Sequence, residues 1–371
     1  MNKIDEDVIE ILKAYLKKDY SFNIDNNYND ILKHAEKYCL GQIVGYTLSI
    51  KIKHNSFLGA VYQSATRYEK QEDIRKLIIN VFEKNNIDFV FIKGSTLGKY
   101  YDEPYLRYSG DVDVVVNSEN YNIAHNLLID EGFKEYSYTS NELTVELNGV
   151  YVDLHCKFTL DNDEVEKQFN SVDFTSSNHE LSNEYKYYLV IAHAAKHISI
   201  NHINLQFLID LYYVRNLDFN RDTLDDMLIK SNLKTFEQIN LNTLDVLFNN
   251  SQSNETIDKY VEFLLNYSKS KGLENQALVG QAHKGNKSTN ILNRLFPSYE
   301  EMQRQNPSLN SKALLPLYYL KRFFDRIKQG QFNRAINEIN ANMNVDKDKV
   351  EETKALLKEI GLWENRFYYR Y

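Results

Sequence analysis

The stretch that decides the fold runs from Ile87 to Val116 and reads IDFVFIKGSTLGKYYDEPYLRYSGDVDVVV. It opens with the apolar run at 89–92, which is typical of a buried strand. The run breaks at Lys93 and is followed by a short helical segment and a turn. Asp111-Val112-Asp113 then leads directly into a second apolar strand. The pattern therefore predicts two strands joined by a short helix.

The second strand carries two carboxylates on one face. Successive side chains of a strand point to opposite faces, so Asp111 and Asp113 share a face while Val112 lies on the other. Two adjacent carboxylates on an otherwise apolar strand repel each other, and they are costly unless a cation lies between them. This pair therefore predicts a cation site.

A third carboxylate follows on a predicted hairpin. Asn148-Gly149 separates two alternating runs within 142–158, which is a strong signal for a two-residue turn. The register places Leu147 opposite Val150, Val145 opposite Val152, and Leu143 opposite Leu154. Asp153 then points away from the apolar side, as Asp111 and Asp113 do.

Three carboxylates on two neighbouring strands are suited to phosphoryl chemistry with divalent ions. Two such ions, about 3.5–4 Å apart, can bridge the phosphates of a nucleotide and an attacking oxygen. Oxygen ligands of this kind suit Mg²⁺. Gly94 and Ser95 end the first strand and open a helix, where backbone N–H groups favour a phosphate.

Composition limits the protein class. The chain has 371 residues, enough for two or three domains. A net charge of −8 gives no support for nucleic acid as a partner. Two cysteines are too few for a disulfide framework and fit a reducing compartment. With no signal peptide or membrane span in the pattern, we expect a soluble, cytoplasmic protein that needs no membrane.

The order of patterns predicts a central mixed sheet flanked by helices. Residues 1–85 are expected to form an N-terminal helical region, 86–175 an α/β (α+β) core, and 176–371 a larger C-terminal helical region. Residues 282–290 are predicted to be an exposed loop. The tail at 366–371 is expected to pack or fray rather than to stack on a base or sugar.

The residues also carry a family resemblance. A strand ending in Gly-Ser, then Asp-x-Asp, then a later Asp resembles the polymerase-β-type nucleotidyltransferase fold. More narrowly, the set resembles a bacterial family of uncharacterised nucleotidyltransferases over about residues 87–330. The matching segments are Lys93-Gly94, Arg107, Gly110 to Val116, Val152 to His155, Ala192 to His197, Leu208 to Leu211, and Leu295 to Ser298.

The resemblance implies transfer of a nucleotidyl group from an NTP to an acceptor hydroxyl, with Mg²⁺ or Mn²⁺ as cofactor. It implies that Asp111 and Asp113 bind both metal ions. Asp153 would bind the ion that activates the acceptor and could take the acceptor's proton. Gly94 and Ser95 would hold the β- and γ-phosphates.

Several residues have two open interpretations. Lys93 and Arg107 add positive charge to the phosphates, or they form ordinary surface ion pairs. His193 and His197 face the substrate, or they form a buried hydrogen bond to Asp210. For His155, which shares a strand face with Asp153, lining the site and ordinary packing are equally supported.

Two motifs are rejected. The segment 94–99 resembles a Walker A loop but is one residue short, and Tyr100 stands where Ser or Thr must hold magnesium. His193 and His197 have a spacing that can bind zinc. The metalloprotease pattern also needs Glu after the first histidine, and Ala194 stands there.

The predicted acceptor is a small molecule or a protein side chain, located between the core and the later helices. A toxin-type enzyme that nucleotidylates a protein or tRNA is an alternative. A non-catalytic module that binds a nucleotide or phosphosugar is another, which the intact carboxylate trio disfavours. Nucleic acid is an unlikely partner on net charge, and the sequence leaves the oligomeric state open.

Overall fold

The computed structural model describes residues 2–24, 26–158, 160, 162–200, 205–266, 272–284, 292, 295–306, 308–328 and 332–363. Most of the predicted loop at 282–290 and all of the tail at 366–371 lie outside these residues. Among the described residues, no helix combines the length and apolarity that crossing a bilayer requires. Cys39 and Cys156 are both buried and free.

A five-stranded mixed sheet forms the centre of the fold, as predicted. Its strands are β1 (Phe89–Ile92), β2 (Asp111–Val116), β3 (Lys134–Tyr138), β4 (Glu142–Leu147) and β5 (Val150–His155). Their order across the sheet is β1-β2-β5-β4-β3. β2 and β5 are parallel, and the other neighbouring pairs are antiparallel.

Helices precede, interrupt and follow the sheet. Those before and within it are α1 (Lys3–Lys17), α2 (Tyr28–Glu36), α3 (Gly41–Ile52), α4 (Gly59–Lys84), α5 (Gly94–Leu97) and α6 (Tyr121–Asp130). Those after it are α7 (Asp163–Lys167), α8 (Asn183–Ile200), α9 (Gln206–Val214), α10 (Arg221–Lys230), α11 (Lys234–Asn249), α12 (Glu255–Asn266), α13 (Gly272–Lys284), α14 (Tyr299–Gln305), α15 (Leu315–Lys328), α16 (Phe332–Met343) and α17 (Lys347–Glu359).

The hairpin register is confirmed residue by residue. Leu147 pairs with Val150, Val145 with Val152, and Leu143 with Leu154. Asn148 and Gly149 both have positive φ, 55° and 81°, as a tight two-residue hairpin turn requires. The turn therefore fixes which β5 side chains face the core.

The two faces of the sheet have different surroundings. One face packs Phe91, Val112 and Leu154 against Ile78 of α4 and Ala124 of α6. The opposite face, here called the site face, carries the predicted carboxylates. Helices cover its β1 side, because Val90, Ile92 and Val115 pack in the same apolar core as the helices before and after the sheet.

The helices before and after the sheet share one apolar core. Val8 and Leu12 of α1 and Ile43 of α3 cluster with Ile191 of α8 and Leu244 of α11. The second half of α4 packs instead on the sheet. The division at 85/86 and 175/176 stays a prediction, and these contacts show that the flanking regions are not separate cores.

Candidate functional site

The parallel pairing of β2 and β5 brings two carboxylates side by side. Asp113 lies directly opposite Asp153 in the register, and Asp111 lies opposite Tyr151. All three aspartates occupy the site face because Val112 and Val152 fill the core on the other side. Asp113 is the most enclosed, with a relative exposure of 2%.

The closest group of potential metal ligands in the described residues is Asp113, Asp153 and His155. One ligand atom from each lies within 4.8 Å of the others. His155 Nε2 is 3.4 Å from Oδ1 of Asp113, and its buried Nδ1 has no hydrogen-bond partner. Carboxylate oxygens and an imidazole nitrogen are common ligands of divalent metal ions. The residues present therefore fit a divalent metal ion.

This group modifies the predicted set. Asp111 shares the site face but is not one of the three closest groups, and His155 takes a place beside Asp113. His155 lies beside Asp113 on the same face of the sheet, and its role there stays a prediction. The alternation within Asp153-Leu154-His155 was the sequence signal for it.

Lys93 supplies the positive charge next to the carboxylates. Its Nζ lies 2.6 Å from Oδ1 of Asp113. Burial alone would raise the pKa of Asp113, but Lys93 and His155 lower this pKa below its usual range. Burial also disfavours the charged Lys93, yet the three aspartates raise the pKa of its ammonium. Lys93 and Asp113 are therefore both charged at neutral pH.

The pKa of Asp111 shifts in the opposite direction to that of Asp113. The negative charge of Asp113 and partial burial raise the pKa of Asp111 to about 7. Asp153 is raised too, by burial and by Asp113, although the Thr144 hydroxyl donates to its Oδ1 at 2.8 Å and opposes this. Without a metal ion, the site face thus stores electrostatic repulsion that a cation would relieve.

Replacing Asp111 by asparagine is expected to stabilise the metal-free protein at pH 8 by about 1–3 kcal/mol. The folded state holds the Asp111 proton more tightly than the unfolded state. Protonated Asp111 therefore stabilises the folded state relative to ionised Asp111, and this stabilisation is lost as the pH rises from about 4 to about 7. The variant should lose this dependence, so its advantage should vanish near pH 4. Urea unfolding in EDTA across this pH range measures it, and an equal or lower stability at pH 8 would refute it.

The turn after β1 is tightly packed. A Cβ on Gly94 would lie 2.0 Å from Oγ and 2.6 Å from Cβ of Ser109, and 3.1 Å from Nη1 of Arg107. Ser109 in turn donates to the backbone oxygen of Asp111 at 2.9 Å. Glycine is therefore required for the turn to approach the start of β2.

Gly94→Ala is expected to destabilise the protein by about 1–3 kcal/mol, because the added methyl group overlaps both side-chain atoms of Ser109. The double variant Gly94→Ala/Ser109→Gly should recover more than half of the loss. Gly59→Ala is the control, since a Cβ there has open space. Chemical unfolding of the wild type, Gly94→Ala, Ser109→Gly and the double variant forms a double-mutant cycle, and additive effects would contradict the overlap.

Arg107 is held by a buried partner rather than at the surface. Its Nε and Nη2 each donate at 2.8 Å to the two oxygens of Asp210 on α9. Tyr101 donates to the same carboxylate at 2.7 Å. The side chains of Arg107 and Asp210 are only 9% and 7% exposed, so the surface ion-pair interpretation is wrong for this residue.

The two helical histidines contact each other. Nε2 of His197 lies 2.9 Å from Nε2 of His193, while Asp210 accepts from Arg107 and Tyr101 instead. Burial and the proximity of His197 lower the pKa of His193 well below its usual value. His193 is therefore neutral at physiological pH.

A cavity beside Lys93 lies between the core and the later helices. Its volume is about 30 Å³, and it is lined by Arg107, Lys186, His193 and Asp210 among others. Such a volume holds about two water molecules. The position of the acceptor stays a prediction. A larger groove of about 510 Å³ lies between α4 and the β4–β5 turn and reaches Gly110 next to Asp111.

Some residues that position the site could not be predicted from the sequence. Tyr101 and Thr144 have no motif, and their roles depend on partners brought close by folding. Gln71 of α4 donates to the backbone oxygens of Ser109 and Asp111 at 3.2 and 3.4 Å. A polar residue on an otherwise apolar helix face was the only available signal for Gln71.

The mixed sheet, the paired aspartates and the glycine turn together define a nucleotidyltransferase core. A family model described as "Uncharacterised nucleotidyltransferase" matches residues 31–249. The chain belongs to this family. The match begins earlier and ends earlier than the resemblance at 87–330, so it includes α2 to α4. Neither the curated proteins nor the solved structures provide a match.

Proposed function

We propose that the protein transfers NMP from an NTP to a hydroxyl group of a small molecule or a protein, in a reaction that depends on Mg²⁺ or Mn²⁺. Membership of the family supports nucleotidyl transfer in general. The observation that carries the proposal is the pairing of Asp113 with Asp153, next to Lys93 and the Gly94 turn. This arrangement supports a metal site beside a segment suited to phosphate.

Asp111, Asp113 and Asp153 would hold the metal ions, with His155 as a further ligand. Bound divalent ions would neutralise charge that develops on the transferred phosphoryl group. Asp153 would take the acceptor's proton, which its burial and its raised pKa favour. Thr144 orients Asp153 through its hydrogen bond.

The β- and γ-phosphates would lie against Gly94, Ser95 and Lys93. β1 leads directly into this turn, and its last residue, Ile92, pairs with Asp113. Arg107 donates hydrogen bonds to Asp210. It would therefore hold the segment before β2 in place and add a fixed positive charge near the phosphates.

The acceptor would approach from the open side of the site face. The β1 side is covered by helices, while Tyr151 and Tyr136, on the β5 and β3 side, are 42% and 51% exposed.

Pyrophosphate release tests the proposal. The purified protein would be incubated with Mg²⁺ or Mn²⁺ and each NTP in turn, with small-molecule hydroxyl donors or with itself as acceptor. We expect metal-dependent release with at least one NTP and none from Asp113→Ala. Metal-dependent NTP binding by calorimetry provides a second readout. Absence of both, or an unchanged Asp113→Ala variant, would exclude the enzymatic function.

A further inference from the structure

The ammonium group of Lys93 lies where the carboxylates of the site face need a cation. Its Nζ is 2.6 Å from Oδ1 of Asp113, and its charge also interacts with Asp111 and Asp153. The Lys93 side chain is 27% exposed, whereas that of Asp113 is 3% exposed. The lysine side chain is thus more exposed than the buried carboxylate to which its ammonium group donates.

The backbone at Lys93 is held in an unusual conformation. Its φ is 52° and its ψ is −119°, a combination that L-residues other than glycine rarely adopt. Its carbonyl oxygen accepts from the N–H groups of Thr96 and Leu97 at 3.2 and 3.0 Å. The backbone is therefore fixed, and any movement of the charge must come from the flexible side chain.

Other cationic groups near the site cannot replace Lys93 as the partner of Asp113. Arg107 already donates to both oxygens of Asp210. His155 lies 3.4 Å from Asp113, which is long for a charge-assisted hydrogen bond. Within the described part of the chain, the short ionic contact to Asp113 is therefore the one made by Lys93.

A divalent ion and the ammonium group compete for the same oxygen atoms. Asp113 is both the ion-pair partner of Lys93 and a member of the closest ligand group. Positive charges that share such a site repel each other strongly. An NTP, by contrast, brings negative charge to the adjacent Gly94 turn, within reach of the lysine stem.

We propose that Lys93 is the resident counter-ion of the metal-free site, that it leaves Asp113 when a divalent ion enters, and that it then binds the nucleotide's phosphates. This inference rests on the proposed function. It implies that Lys93 weakens metal binding in the absence of nucleotide and strengthens binding of the metal–nucleotide complex. Metal and nucleotide binding are then positively coupled.

Calorimetric titration with Mn²⁺, and with Mn²⁺-tripolyphosphate as a base-independent phosphate probe, tests the coupling. The test proteins are Lys93→Met and Lys93→Gln, with Lys93→Arg as the variant that retains charge. Lys99→Met is the matched control, because Lys99 is in the same segment but pairs with Glu180. Thermal unfolding in EDTA establishes which variants are folded.

We expect Lys93→Met and Lys93→Gln to bind Mn²⁺ alone roughly tenfold or more tightly than the wild type. They should bind Mn²⁺-tripolyphosphate at least about tenfold more weakly. Lys93→Arg and Lys99→Met should resemble the wild type in Mn²⁺ affinity. Equal or weaker Mn²⁺ binding by both neutral variants would overturn the counter-ion role.

Different binding results would contradict the proposed function. If neither the wild type nor Lys93→Met binds Mn²⁺, with or without tripolyphosphate, or if Asp113→Asn binds it as well as the wild type does, the metal site itself is absent. If Mn²⁺ binding requires Asp113 but does not respond to the charge at Lys93, the metal site stands and the counter-ion role is wrong.

Discussion

Asp113→Asn is expected to reduce nucleotidyl transfer by at least about a thousandfold. Asp113 lies at the centre of the site, because it is opposite Asp153 and contacts both Lys93 and His155. Asparagine keeps the shape of the side chain but removes the charge that a divalent ion requires. The rate of pyrophosphate release at saturating Mg²⁺ measures the effect.

Asp88→Asn is the matched control for this prediction, because Asp88 is exposed and directly precedes β1. Its rate should stay within about twofold of the wild type. Thermal unfolding in EDTA establishes that the Asp113→Asn protein is folded before its rate is compared. A folded Asp113→Asn protein that retains a tenth or more of the wild-type rate would contradict the assigned role.

Breaking the Arg107–Asp210 pair is expected to produce the largest loss of stability. Removing one partner of a buried ion pair leaves an uncompensated charge and costs about 3–5 kcal/mol. Asp210→Asn would leave the Arg107 guanidinium with one neutral partner and would weaken the bond from Tyr101. The free energy of unfolding from urea titration measures this.

The control is Asp226→Asn, which removes an exposed pair with Lys230 on α10 and should cost less than about 1 kcal/mol. A double variant, Arg107→Met/Asp210→Leu, should be more stable than Asp210→Asn, because no charge is then left buried without a partner. If Asp210→Asn and Asp226→Asn cost the same, the buried pair does not stabilise the fold.

The sheet and the positions of the aspartates were predictable because they depend on local rules. Alternation along β2 separates Asp111 and Asp113 from Val112, and the positive-φ turn at Asn148 and Gly149 fixes the register of the hairpin. Neither inference requires knowledge of distant residues. The parallel pairing that sets Asp113 opposite Asp153 is the added information from the fold.

The partners of Arg107 and of the histidines could not be predicted in the same way. Arg107 and Asp210 are 103 residues apart. Both residue types are common at protein surfaces, so the sequence does not indicate that these two are buried. For His193 and His197 the sequence offered a substrate-facing role or a hydrogen bond to Asp210, and it did not predict their contact with each other. The choice depends on how α8 and α9 pack, and Tyr101 and Arg107 occupy the carboxylate instead.

Anomalous scattering from Mn²⁺ in crystals grown with a non-hydrolysable NTP analogue tests the metal centre most directly. We predict Mn²⁺ within coordination distance of Asp113 and Asp153, with the analogue's β- and γ-phosphates against Gly94 and Ser95. The Lys93 ammonium should point toward those phosphates. Mn²⁺ located elsewhere, or an analogue bound away from the site face, would contradict the assignment of this face as the nucleotidyltransferase centre.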